Sequence, residues 1–174
     1  MEIYEPAEDS FLISELLEEY LSKQNKEIKY LDMGTGSGIL ALTASNFLPK
    51  ENILASDINP KSVKLLKEQG FNAVKSNLFQ NIKDNFDLIT FNAPYLPEDS
   101  REPKSSRLAT TGGKKGDEIA VEFLKQAKSH LNKDGKIFLL ISNLTPIDKI
   151  KKFKPKIAAK KKIFMEELIV FEFS

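Results

Sequence analysis

The residues whose chemistry is easiest to interpret form the motif Asn92-Ala93-Pro94-Tyr95, which follows an apolar run that ends at Phe91. The Asn92 side-chain oxygen and the Ala93 carbonyl are two hydrogen-bond acceptors that can hold both protons of a planar NH2 group. Pro94 restricts Ala93 to extended conformations, and Tyr95 can stack on a flat group. The motif therefore predicts a slot for an amide or a ring-attached amine.

An NH2 nitrogen of this kind is a poor nucleophile, because its lone pair is delocalised into the neighbouring π system. Catalysis must therefore orient it, and alignment can supply about 7–11 kcal/mol of a barrier without a strong general base. The alternative is an ordinary turn with a half-buried tyrosine. A position at the carboxyl end of a central strand, where open parallel sheets bind ligands, favours the functional interpretation.

A second motif, Asp32 to Gly38, carries the glycines Gly34, Gly36 and Gly38. They let the backbone turn sharply and approach a ligand, and the first N–H groups of the next helix face the same space. The third glycine comes two residues after the second, whereas the dinucleotide fingerprint places it three after, which counts against NAD or FAD. The Gly-Lys-Ser/Thr ending of a phosphate loop is missing, which disfavours ATP. The motif predicts another nucleoside cofactor.

Two carboxylates accompany this motif. Asp57 ends the next predicted strand, where it can accept hydrogen bonds from both ribose hydroxyls of a nucleoside, while Asn59 serves as the helix cap. Asp32 ends a buried strand and needs a partner. A bound ammonium, such as the methionine amine of S-adenosylmethionine, can be that partner directly or through water. Together the motifs indicate transfer of a methyl group from S-adenosylmethionine to a nitrogen.

Composition narrows the class of protein. With 174 residues, 41% of them hydrophobic, we predict a single domain over 1–174, including an amino-terminal cap and helix over 1–22. The absence of cysteine and the lone His130 predict no metal site. No targeting segment or long apolar run is evident, which predicts a soluble cytoplasmic protein. The net charge of +1 gives no global case for nucleic acid.

Strands that alternate with helices must position the two motifs. The pattern predicts a Rossmann-like α/β fold, with a seven-stranded, mostly parallel sheet, helices on both faces and one antiparallel strand from a carboxyl-terminal hairpin. The long polar segment 96–116 is predicted to serve function. Seven lysines lie within 151–162, which we interpret as the solvated face of a late helix and the start of an edge strand, with a phosphate or acidic partner as the alternative. The predicted strands are 28–33, 53–56, 72–75, 86–91, 136–142, 162–165 and 168–173; the predicted helices are 8–22, 39–48, 60–69, 117–131 and 146–156.

The chain resembles the class I methyltransferases, and within them the HemK-like glutamine methyltransferases of archaeal and eukaryotic type. Three segments carry the resemblance: Tyr4 to Leu12, Asp32 to Gly38, and Asn92 to Tyr95. The later Gly112 to Glu118 is also similar to the family's glycine-rich segment. The opening segment, Tyr-Glu-Pro-Ala-Glu-Asp-Ser-Phe-Leu, is the most specific.

The resemblance also implies which residues hold the cofactor. The adenine contact would be made by the pair Asn77-Leu78, where relatives usually have aspartate at the first position. Ala93 departs from the proline that is usual there. The other implied cofactor residues are Ser10, Asp32, Gly34, Gly36, Gly38, Asp57 and Asn92.

The implied reaction is methylation of the glutamine side-chain amide in the Gly-Gly-Gln motif of a class 1 release factor. Short members of the family pair with a small zinc-binding activator subunit, and the predicted edge strand Asn72 to Lys75 could receive it by strand addition. Three alternatives stay open: methylation of adenine N6 or guanine N2 in a nucleic acid, methylation of a protein lysine, and a cofactor-binding partner protein that has lost catalysis.

Overall fold

A computed structural model describes residues 3–103 and 106–174, which include a seven-stranded sheet. The strands are β1 (Tyr30–Met33), β2 (Ile53–Asp57), β3 (Asn72–Lys75), β4 (Phe86–Asn92), β5 (Leu131–Ser142), β6 (Lys156–Ile163) and β7 (Glu166–Phe173). Their order in the sheet is β3-β2-β1-β4-β5-β7-β6. Pairings among β1 to β5 are parallel, and β7 is antiparallel to both β5 and β6. The predicted Rossmann-like α/β fold is confirmed.

Helices pack on both faces of the sheet. They are α1 (Glu8–Leu21), α2 (Ile39–Ala44), α3 (Pro60–Glu68), α4 (Arg107–Thr110), α5 (Glu118–Ala127) and α6 (Asp148–Lys151). Alternate residues of the central strands face opposite clusters: in β1, Tyr30 packs in the cluster with α1 to α3, whereas Leu31 packs in the cluster with α5 and α6. Coverage on both faces explains why the central strands are almost continuously apolar.

The ends of α3 follow from local chemistry. The Asn59 side chain accepts a hydrogen bond from the Lys61 amide at 3.1 Å, and Pro60 is the first helical residue. Gly70, with φ of 82°, follows the last turn in the left-handed conformation that glycine tolerates. The predicted cap, first residue and stop are all confirmed.

The carboxyl-terminal helix and hairpin differ from the sequence prediction. The predicted helix 146–156 is a single turn, α6, because Pro155 disfavours helical geometry at Lys154, whose φ is 55°. Lys156 was predicted to end that helix but begins edge strand β6, which also carries Lys160, Lys161 and Lys162. The predicted start of an edge strand is therefore six residues too late. The turn of the hairpin consists of Phe164 and Met165, whereas the sequence predicted it at residues 166–167.

Two helix ends were also misplaced. α2 ends at Ala44 and α5 at Ala127, both earlier than predicted, and β5 begins at Leu131. A short 3₁₀ turn, Lys128–His130, joins α5 to β5. Within the described ranges, no helix is long and apolar enough to cross a membrane.

Candidate active site

A cavity of about 220 Å³ opens at the carboxyl ends of β1, β2 and β4. This is where the strand order reverses, since β1 lies between β2 and β4, and such switch points are where open α/β sheets bind ligands. Its walls come from the turn after β1, from the ends of β2 and β4, from the amino-terminal end of α1 and from α4. The two sequence motifs therefore line one cavity.

Asp57 closes β2 and is anchored on both of its oxygens. The Gly36 amide donates to Oδ2 at 2.8 Å, and the Asn59 amide donates to Oδ1 at 2.7 Å. Burial raises the pKa of Asp57, and these two hydrogen bonds oppose the rise. A carboxylate has about four lone-pair sites, so each oxygen can still accept a ligand hydroxyl.

Asp32 closes β1 and is only 1% exposed. Its Oδ2 accepts hydrogen bonds from the Thr35 hydroxyl at 2.6 Å and from the Ala41 amide at 3.2 Å. Asp32 therefore has the partners that its burial requires, because the following turn and helix donate to it; an ammonium ligand would be a further partner. Burial nevertheless raises the pKa of Asp32 to about 7.

Asn92 closes β4, and the amino-terminal end of α1 orients its side chain. The Asn92 Nδ2 donates to the Ser10 hydroxyl at 3.3 Å, and that hydroxyl donates to Asp9 Oδ1 at 3.2 Å. The Tyr4 hydroxyl donates to Asp9 Oδ2 at 2.7 Å. With its nitrogen engaged by Ser10, the Asn92 amide keeps its oxygen as an acceptor.

Tyr95 follows this motif and is half-buried. Its pKa is raised, mainly by burial and further by the negative charges of Asp9 and Glu166. The phenol therefore stays neutral at physiological pH, which suits a stacking surface. The Thr145 hydroxyl donates to the Tyr95 carbonyl at 3.1 Å and fixes the backbone there.

The long segment 96–116 supports the motif from the other side. The Gly112 amide donates to the Leu96 carbonyl at 2.9 Å, and a Cβ on Gly112 would lie 2.5 Å from the Pro94 carbonyl oxygen. A Cβ on Gly116 would collide with the Tyr95 carbonyl oxygen. These glycines allow the loop backbone to pack directly against the motif, and α4 from the same segment lines the cavity.

Most of the predicted site residues meet at the cavity. Gly38 and Asn77 do not line it. A Cβ on Gly38 would lie 2.8 Å from Leu66, so this glycine lets α2 start close to α3. Asn77 is exposed in a turn where its carbonyl accepts from the Gln80 amide. The predicted residues that line the cavity are Ser10, Asp32, Gly34, Gly36, Asp57, Leu78, Asn92, Ala93, Pro94 and Tyr95.

Some lining residues were missed by the sequence interpretation. Tyr4 and Asp9 belong to the opening segment and could have been recognised as polar neighbours of Ser10. Ser76, beside Asn77, and Thr110 of α4 also line the cavity, but no local pattern marks them. Over residues 3–103 and 106–174, no group of three or more His, Asp or Glu is placed to hold a metal ion.

The sheet has a glycine turn after β1, a carboxylate at the end of β2 and polar residues at the end of β4, all around one cavity. Together these features define a class I methyltransferase, which uses S-adenosylmethionine. The chain belongs to the family described as the methyltransferase small domain, whose model matches residues 11–164. The opening residues up to Ser10 lie outside the matched region.

Similar proteins agree with this assignment. The chain is 38% identical over 97% of its length to "Putative protein N5-glutamine methyltransferase" of Methanocaldococcus jannaschii, of which it covers 90%. It is 30% identical over 73% of its length to a release factor glutamine methyltransferase of Lactococcus lactis, and the alignment spans about half (52%) of that protein. A crystal structure of a ribosomal protein L11 methylase from Lactobacillus delbrueckii has the same fold, with a TM-score of 0.65 at 24% identity, over 91% of this chain and 76% of that one.

The chemistry of the lining fits S-adenosylmethionine. Asp57 retains acceptor capacity for ribose hydroxyls, and the Asp32 carboxylate suits an ammonium group. Ile58 and Leu78 offer apolar surface for a flat base. These carboxylate acceptors and apolar side chains thus match both the nucleoside and the amino-acid part of the cofactor.

Proposed function

We propose that this chain is a protein N5-glutamine methyltransferase that modifies the Gly-Gly-Gln motif of a class 1 release factor. The observation that carries the proposal is the orientation of Asn92, whose Nδ2 donates to Ser10 at 3.3 Å and whose oxygen remains an acceptor. The 38% identity to a protein named as a putative glutamine methyltransferase supports the same substrate group.

The cofactor is assigned to the cavity beside this acceptor. Asp57 would take the ribose hydroxyls, the turn with Gly34 and Gly36 would accommodate the amino-acid part next to Asp32, and Leu78 would contact the adenine. When bound, S-adenosylmethionine supplies a methyl group that is electrophilic because it is attached to a sulfonium. The protein must then align the nitrogen and exclude water.

The substrate amide is assigned to the slot at the end of β4. The Asn92 oxygen and the Ala93 carbonyl would each accept one N–H, and Tyr95 would stack on the amide plane. Ala93 is buried, so its carbonyl is held by packing although proline is absent there. Two fixed acceptors orient the nitrogen lone pair, and alignment supplies the rate enhancement.

A small zinc-binding activator subunit is part of the proposal. β3 forms one edge of the sheet and is short and half-exposed, so a strand of a partner can add to it. We further propose that residues 1–174 act as one methyltransferase unit. A release factor substrate would place the enzyme in the cytoplasm, where translation ends.

The test is a radiolabelled methyl-transfer assay that offers a class 1 release factor, histone tails, tRNA and DNA in parallel, with and without a coexpressed activator. We expect label in the release factor, and mass spectrometry should place it on the glutamine of Gly-Gly-Gln. The matched control is the same release factor with that glutamine replaced by alanine, which should take no label. Label in tRNA or DNA, or on lysine, would overturn the proposal.

A further inference from the structure

Three apolar side chains stand exposed at the hairpin turn and the neighbouring loop, and we call them the apolar rim: Leu144, Phe164 and Met165. Their exposed fractions are 50%, 96% and 94%. Scattered surface apolar residues are normal, but a cluster of large ones marks an interaction site. Phe and Met are also among the residue types enriched at protein interfaces.

The apolar rim and the cavity both lie at the carboxyl ends of the parallel strands. β7 runs antiparallel to β5 with Ser142 paired to Leu168, so the turn before β7 extends beyond the carboxyl end of β5. The Asn143 amide donates to the Glu167 carbonyl, and the Glu167 amide donates to Asn143 Oδ1, both at 2.9 Å. These bonds hold the loop with Leu144 beside the hairpin.

A hydrogen bond connects the same loop to the slot for the substrate amide. Thr145, directly after Leu144, donates to the Tyr95 carbonyl at 3.1 Å. On the hairpin, the Glu166 carboxylate accepts a hydrogen bond from the Tyr95 hydroxyl, and this bond contributes to the raised pKa of Tyr95. Both segments of the apolar rim are therefore anchored next to Tyr95.

The turn residues are not those that folding alone favours. Two residues connect β6 to β7, and the first, Phe164, has a φ of 49°. Two-residue hairpin turns with positive φ at the first position favour glycine there. A nearly fully exposed Phe-Met pair at this place gains nothing from burial in this chain, which points to a role in binding.

Charge indicates the kind of partner. Two of the three lysines next to the turn are paired: Lys160 with Glu167 at 3.0 Å, and Lys161 with Glu8 at 2.6 Å. Paired lysines offer little to phosphates. The exposed surface at the turn itself is apolar, which suits an apolar segment of a protein better than a nucleic acid.

We propose that the apolar rim docks an apolar segment of the protein substrate near the target glutamine. This inference rests on the proposed function, because it assumes a protein substrate. It explains how this domain could distinguish the release factor from a short peptide that contains glutamine: the slot would bind the amide, and the apolar rim would bind the residues around it.

The test uses the double variant Phe164→Gly/Met165→Ser, whose residues suit the turn, so the fold should not be weakened. We expect the KM for the folded release factor to rise about tenfold, with kcat within about twofold. The KM for a short Gly-Gly-Gln peptide and the affinity for S-adenosylmethionine should not change. The matched control is Ile157→Ser, an exposed residue (56%) on the same edge strand, about 20 Å from the turn.

The possible failures are distinguishable. If the wild-type enzyme methylates no glutamine, the proposed function and this inference fall together. If it does, but the double variant and Ile157→Ser give the same KM as the wild type, the apolar rim does not dock the substrate. A shift from dimer to monomer in the double variant, without a KM effect, would assign the surface to a second copy and also overturn the inference.

Discussion

Asp32 is a titrating group at the centre of the site. Burial raises its pKa to about 7 from the ordinary value of 3.8, although Thr35 and Ala41 donate to it. Because the pKa in the folded protein is the higher one, the folded state holds an additional proton between about pH 4 and 7. The stability that this group contributes is full below about pH 4 and is lost as the pH rises through about 7. An ammonium ligand, in contrast, needs the ionised form.

The affinity for S-adenosylmethionine should therefore depend on pH through Asp32. Below about pH 6 we expect it to fall about tenfold per pH unit, and Asp32→Asn should weaken binding at pH 8 and flatten the profile. Isothermal titration calorimetry from pH 5.5 to 8.5 would measure this. The matched control is Asp148→Asn, an exposed carboxylate outside the cavity, which should keep the wild-type profile. A wild-type affinity independent of pH would contradict the assignment of Asp32 to the ammonium.

At the level of single residues, the sequence predicted which side chains accept hydrogen bonds from ligands better than which residues hold those side chains in place. Asp57 and Asn92 each end a strand, and the carboxyl ends of parallel strands lie at the same edge of the sheet. Their convergence was therefore predictable. The hydrogen bond from Asn92 to Ser10 was not, because it joins segments that are about 80 residues apart in the chain.

Among the elements, the segment 96–116 contributes more than its irregular sequence indicates. Its glycines pack against the carbonyls of Pro94 and Tyr95, and Glu102 accepts hydrogen bonds from Thr110 and Thr111 to hold α4 in place. The length and polarity of the segment predicted a functional role. Its contacts could not be predicted, since close backbone approach depends on tertiary structure.

Gly112→Ala tests this support. A Cβ there would meet the backbone of Pro94 and Gly116, which cannot move aside as a flexible side chain would. We expect a loss of roughly 1–3 kcal/mol in the free energy of unfolding. The kcat of the folded enzyme should fall roughly 10–100-fold because the motif is displaced. Denaturant unfolding and steady-state kinetics would measure both.

Gly135→Ala is the matched control for that variant. A Cβ on Gly135 would lie 3.1 Å from the Phe86 carbonyl oxygen, at the amino end of β4 and away from the cavity. It should lower stability but leave kcat unchanged. Equal kcat values for the wild type and Gly112→Ala would contradict a positioning role for the loop.

Before residue 145 the sequence misplaced only the ends of elements, whereas after it a predicted helix is reduced to one turn and strand β6 begins six residues early. A lysine-rich stretch with scattered apolar residues suits a solvated helix face and an edge strand equally well, and only pairing with β7 decides between them. Pro155 was the available signal, because the residue before a proline avoids helical geometry. The apolar strands and the well-capped α3 were predicted correctly since their signals are local.

For the whole molecule, the two edges of the sheet differ in character. β6 carries lysines, which discourage pairing with another strand, whereas β3 carries few charges. The Ser76 amide donates inward to the Asp57 carbonyl at 2.9 Å. By alternation along the strand, the amides of Ala73 and Lys75 point away from β2 and are available to a partner.

Ala73→Pro should therefore block strand addition by the activator subunit while keeping the β2–β3 hydrogen bonds. We expect the affinity for the activator to fall at least about tenfold. The melting temperature of the isolated chain should change little. Surface plasmon resonance and thermal unfolding would measure the two effects. Lys75→Ala, which removes a side chain but no amide, is the control, and equal loss in both variants would argue against backbone pairing.

The most direct test of the account is the variant Asn92→Ala, measured by single-turnover methyl transfer to the release factor and by titration with S-adenosylmethionine. We predict that methyl transfer is abolished while cofactor affinity stays within about tenfold of the wild type, because the substitution removes substrate alignment more than cofactor contacts. The exposed Asn46→Ala should leave both unchanged. Full methyl transfer in Asn92→Ala would contradict the central claim that this side chain holds the reacting amide.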